Sequence, residues 1–229
     1  MEEVSISPWT RAARYGLHVL HEHTHYITAV FFAIIQLLVL LAFVREITLW
    51  PLLFWYCNNV SFFYALAFYQ RNLQLVKGLN YVGLLPQLLW VSDFLSHLFG
   101  FDLSNTADYV FVQGLTFSNE VTVFLHLTVP FVALAYTLTT RPRPYSLLYS
   151  LVYIIALYAA TLAGTAPADD MNCVFNACSQ FPFQLHVLLW PLYMLILSIG
   201  GYAIHEGLYR LYVWFSSRLR LHSPSRVTH

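Results

Sequence analysis

The sequence predicts an all-α polytopic membrane protein: a single bundle of about six transmembrane helices with both termini cytosolic. Three observations predict it. The chain has 229 residues, 59% hydrophobic and 10% charged, whereas soluble domains carry about a quarter charged residues. Its apolar runs recur from end to end at the length of about 20 residues that a spanning helix needs. Its charges also fall on alternate connections, as membrane topology requires.

The elements follow in order. The polar lead from Pro8 to His25 is expected to form an interfacial helix anchored by Trp9. Apolar runs then cover residues 26–44, 49–69, 80–101, 120–140, 145–165 and 183–203, the third interrupted by Pro86, Asp93 and His97. The connections "REIT", "QRNLQLVKG", "RPRP" and the two longer outer loops are too short for folded domains, and no internal repeat is visible. The C-terminal "HEGLYRLYVWFSSRLRLH" reads as a basic amphipathic helix along the inner surface. The expected organisation is therefore an N-terminal segment over 1–25, a six-span domain over 26–203 and a C-terminal segment over 204–229. No cleavable signal peptide is expected, because the first apolar run starts late and no small-residue cleavage site follows it.

Orientation follows from the basic residues. With six spans, Arg11, Arg14, Arg71, Lys77, Arg141, Arg143, Arg210, Arg218, Arg220 and Arg226 share one side, leaving only Arg45 opposite. Glu46, Asp102, Asp108, Glu120, Asp169 and Asp170 occupy that opposite side. The basic side is cytosolic. The balance of 11 basic and 11 acidic side chains argues against a nucleic-acid partner, and membrane lipids become the expected one. Cys173 and Cys178 share an outer loop, where they form either a disulfide or two free thiols.

Depth, at about 1.5 Å per residue, sorts the polar groups. Cys57 lies roughly 12 Å and His126 roughly 9 Å inside the outer face, with Asp93 and His97 at roughly 12 and 6 Å and His186 one turn inside the last span. Ionisable groups at such depths are candidates for function. A thiol beside an imidazole becomes a thiolate, the form that attacks acyl carbonyls. Cys57 is thus the candidate nucleophile and His126 the candidate base. Asn58 or Asn172 is the candidate oxyanion donor. Asp93, four residues before His97, shares its helix face and is expected to hold that imidazole in one tautomer. The alternative for the whole set is a satisfied polar network gluing helices together. His18, His21 and His25 line one helical face near the cytosolic end, but they lack the recurring histidine boxes of membrane oxidoreductases, so a structural role is favoured over a metal site. No cofactor is expected.

Several short stretches carry a resemblance. "FLHLTVPFVALAYTLTTRPRPYSLL" places a histidine early in a span, followed by Arg-Pro and an aromatic-x-Leu-Leu. "LAGTAPADDMNCVF" supplies a glycine and an Asn-x-x-Phe loop, and "LWPLYML" a Trp-Pro-x-Tyr in the last span. In that order they resemble the YwaF-like integral membrane proteins, whose animal relatives are phospholipid acyltransferases. The resemblance covers roughly residues 50–203 and implies a catalytic cysteine at Cys57 and histidine at His126. The family cysteine follows His-Leu and precedes Ser, whereas this chain reads Tyr56-Cys57-Asn58. "HYITAVFF" and "HLTVPF" also resemble the androgen-induced membrane threonine hydrolases, neighbours in architecture. Thr28, however, lies near the cytosolic end, too far from His126 in a straight bundle. Acyl transfer or ester hydrolysis on a lipid is the leading expectation, and non-catalytic binding or transport of a lipid or small molecule is the alternative.

Overall fold

The computed structural model describes residues 8–44, 47–101, 103–104, 107–112, 116–166, 174 and 187–221, with backbone alone described at 8–22, 47–50 and 219–221. Helix α1 runs unbroken over Pro8–Val44. The separate interfacial helix expected over 8–25 is instead its first part. Pro8 sits at the first helical position, where its missing N–H is harmless, and no later proline interrupts the ladder.

The second apolar run is broken. Residues Ile47–Phe54 form a 3₁₀ segment containing Pro51, and α2 begins only at Tyr56, running to Tyr69. Pro51 offers no N–H to an α-helical ladder, and Trp55 is extended (φ −61°, ψ 135°). Trp55 N donates to Leu52 O (3.1 Å) and Asn58 N to Trp55 O (3.0 Å) across the break, and two asparagine side chains add further donors to its carbonyls. Asn58 Nδ2 donates to Leu52 O (2.8 Å), while Asn59 Nδ2 donates to Leu53 O (3.2 Å) and Trp55 O (3.0 Å). Gln36 of α1 bridges the Asn58 carbonyl and the Phe62 N–H, at 3.1 Å each. An α-helix would ordinarily pair those two groups with each other, so α1 is stitched into the α2 backbone.

A tight turn at Gln70–Asn72 leads into α3 (Leu73–Leu98), whose first turn is capped by Asn72 Oδ1 accepting from Leu75 N at 3.0 Å. This helix starts seven residues earlier than its apolar run suggests, and it is the hub. From Val76 to Leu84 every residue is buried, and α2, α5, α6 and α7 all pack on it. Small residues permit the close approach. A Cβ at Gly78 would stand 2.5 Å from Ser146 O, and one at Gly201 of α7 would stand 2.7 Å from Tyr81 O. Lys77, also fully buried, donates to Thr140 O (2.7 Å) and Arg141 O (3.0 Å). It thereby places a cation at the C-terminal end of α5, where the helix dipole favours one.

After the short α4 (Asp108–Val112) come α5 (Phe117–Thr137), α6 (Ser146–Gly164) and α7 (Trp190–Leu221). Helix α7 continues without interruption past residue 203, so its basic end prolongs the same rod. Four helical stretches are long and apolar enough to cross a membrane: His23–Val44, Phe117–Thr137, Ser146–Gly164 and Val187–Arg218. The described residues contain no strand. The apolar core gathers around Phe32, Tyr64 and Phe68, the two phenylalanines stacked 5.4 Å apart.

Candidate functional site

Cys57 stands in the first turn of α2, directly after the break. A helix N-terminus carries a partial positive charge that favours an anion beside it, and no side chain caps this one. The thiol is unbridged and half-buried. Its Sγ donates to Asn58 Oδ1 at 3.7 Å, and the rings of Tyr56, Tyr109 and Tyr153 lie within its electrostatic reach.

His126 is buried in the third turn of α5. Its Nδ1 lies 2.8 Å from Thr122 O. A carbonyl only accepts, so in the neutral ring Nδ1 carries the proton and Nε2 the lone pair. The imidazole stacks on Trp90 of α3, centroids 4.2 Å apart. Tyr109 of α4 joins the two sides. Burial pushes its phenol above the ordinary value, and proximity to Cys57 adds to the push. Its hydroxyl approaches Trp90, although the indole Nε1 meets no hydrogen-bond partner.

The structure thus sets Cys57 and His126 on packed helices, α2 and α5, flanking a Tyr109–Trp90 pair. It does not hydrogen-bond them to each other: the sulfur bonds Asn58 and the imidazole bonds Thr122.

The supporting residues differ from expectation. One N–H of the Asn58 amide donates to Leu52 O, so only its second N–H is left to serve an oxyanion. Asn59 Nδ2 donates to two carbonyls, and its Oδ1 accepts from Tyr153 Oη. Asp93 does not orient His97. Its Oδ1 accepts from Leu103 N (3.2 Å) and Ser104 N (2.6 Å), and its Oδ2 from Ala107 N (2.8 Å), so the carboxylate clamps the loop ahead of α4. His97 instead lies 3.5 Å from Asp108 Oδ1 and stacks on Phe111 at 4.2 Å. Both are α4 residues, so Asp93 and His97 together anchor the element that carries Tyr109.

His25 packs edge-on against Tyr136 (5.3 Å), while the His18 and His21 side chains lie outside the described residues. Among the described residues no three His, Cys, Asp or Glu side chains converge as metal ligands. Asn172, Cys173, Cys178 and His186 also lie outside them. Thr28 donates to Thr24 O within α1 at 2.8 Å. Trp90, Tyr109 and Tyr153 escape sequence reasoning because aromatic residues are everywhere in this chain; only their contacts with His126, Trp90 and Asn59 respectively single them out. Comparison with protein-family models, with curated proteins and with solved structures found no match to this chain.

Proposed function

We propose that this chain is a six-span membrane enzyme, both termini cytosolic, that acts on lipid esters through Cys57 and His126. The observation that carries the reading is the position of the thiol. It lies at the N-terminal end of a helix that starts partway through an apolar run, and that helix packs on the one carrying His126, whose tautomer leaves the Nε2 lone pair free of the proton. Helices broken within a membrane commonly mark binding sites, because their ends present dipoles to a ligand. His126 Nε2 takes the thiol proton, and the thiolate attacks the ester carbonyl. The alcohol leaves with that proton, and water or a lysolipid hydroxyl then resolves the thioester. Catalytic hydrogen bonds often tighten only when substrate is bound, which accommodates a resting sulfur bonded to Asn58. Tyr109, one of three tyrosines within electrostatic reach of the sulfur, joins Asn58 and Asn172 as a candidate donor to the oxyanion.

A mercaptan-reactive acyl-lipid probe tests the assignment. Wild-type protein forms a hydroxylamine-sensitive acyl adduct that Cys57→Ala abolishes and His126→Ala slows by about a hundredfold or more. Undiminished adduct and turnover in Cys57→Ala would refute it. The resting Cys57–Asn58 bond favours one rival, a non-covalent binding or transport site built from the same cluster. Uptake into vesicles with no covalent change in any lipid supports that rival. Cysteines introduced at residues 5 and 225 and labelled only after permeabilisation support the orientation.

A further inference from the structure

A groove of about 620 Å³ runs between α1 and α2 on the outside of the bundle. Ala29, Ala33 and Ala65 form its floor, and small side chains there let their larger neighbours stand as walls. From Tyr26 to Leu40 it extends about 21 Å along α1, longer than the roughly 15 Å of one leaflet's hydrocarbon. Gln36 lines it with both amide atoms engaged by the α2 backbone, so the polar side chains left to the lining are Tyr26 and Tyr69 at one end. At one end Tyr26 and Tyr69 meet edge to face, 5.9 Å apart, as interfacial aromatics do. The Arg71 guanidinium sits over the Tyr26 ring at 5.1 Å. It is exposed and pairs with no carboxylate among the described residues. Arg71 also adopts φ +56°, the left-handed position closing α2 where glycine is the usual residue. A cationic side chain is kept there against backbone preference.

We propose that this groove binds one anionic phospholipid, an acyl chain lying between α1 and α2 and the phosphate on Arg71. Charge complementarity selects the lipid over a second copy of the chain: a two-fold contact on this face would bring two Arg71 side chains together. The groove contains neither Cys57 nor His126, so it stands apart from the site above.

The test is native mass spectrometry of the protein released from nanodiscs of phosphatidylcholine with a minor fraction of phosphatidylglycerol. Wild-type protein retains one phosphatidylglycerol in preference to phosphatidylcholine. Ala33→Phe fills the groove without entering the core and loses both. Arg71→Gly relieves the left-handed backbone, so it melts no lower than wild type, yet its preference falls about fivefold. The proposal is overturned if wild type retains no lipid or if both variants match wild type. It is equally overturned if Ala33→Phe merely dissociates a dimer, or if inorganic phosphate displaces the lipid, which would make Arg71 a plain anion site.

Discussion

Replacing Asp93 with alanine tests the loop clamp directly. The carboxylate is fully buried and accepts three backbone N–H groups. Ala107 is itself buried, so its N–H would be left without a partner at about 1–3 kcal/mol. Leu103 is exposed and Ser104 half-buried, so water partly replaces those bonds and each loses about 0.5–1.5 kcal/mol. The central expectation is about 4 kcal/mol, released locally because the loop can open while the bundle stays packed. Hydrogen exchange at Leu103, Ser104 and Ala107 should therefore accelerate several hundredfold, since each 1.4 kcal/mol is a factor of ten, while α3 amides near Val82 keep their protection. Asp93→Asn retains one acceptor oxygen and should lose about half as much. Unchanged exchange in Asp93→Ala would refute the clamp. A large loss of turnover with unaltered exchange would return Asp93 to the direct role expected from its spacing to His97.

Other substitutions probe the packing. Gly83→Ala puts a Cβ 2.0 Å from the Tyr56 ring and displaces a hydroxyl that donates to Leu79 O at 2.8 Å. It should destabilise by about 2–4 kcal/mol despite a gain of about 1 kcal/mol in helix propensity, and an unchanged unfolding midpoint in detergent would contradict this. Asn59→Leu removes the side-chain donor from Leu53 O and Trp55 O and leaves Tyr153 without its acceptor, and should cost about 2 kcal/mol in the same assay; Tyr153→Phe, losing one bond, should cost about 1 kcal/mol. Gln36→Leu should cost only about 0.6–1 kcal/mol, because Asn58 O and Phe62 N–H stand four residues apart in a continuous helix and have each other as partners; a loss above 3 kcal/mol would contradict this.

Much of the helical plan is legible in the residues. Runs of apolar side chains locate α5 and α6 to within a few positions, because nothing inside them competes with the pattern. The exceptions have physical causes. Composition changes sharply at Tyr26, yet a helix ends only where a breaker or cap ends it, so α1 runs through. Pro51 is visible in "LWPLLFWYCNN", but apolarity continues across it and conceals the break. Asn58 and Asn59 stand out as polar groups within an apolar run, and their side chains donate to carbonyls around that break. Asp93 and His97 do share a helix face, as their spacing implies. The unpaired N–H groups of a following loop made the nearer claim on the carboxylate, and such loop geometry leaves no mark at the aspartate. Cys57 and His126 were identifiable as chemistry-bearing residues, whereas their aromatic surroundings were not, since ring contacts between remote segments follow no local period.

The hub helix has a consequence for biogenesis. Neither α2, with 14 residues, nor α3, which is absent from the four strongly apolar stretches, persuades an insertion machinery by itself. If all six runs span the bilayer, as proposed, the turn at Gln70–Asn72 makes them a hairpin that enters it as one piece. Three of the helices that cover α3, namely α5, α6 and α7, emerge from the ribosome after it, so the nascent hairpin waits with its glycine-lined flanks unprotected.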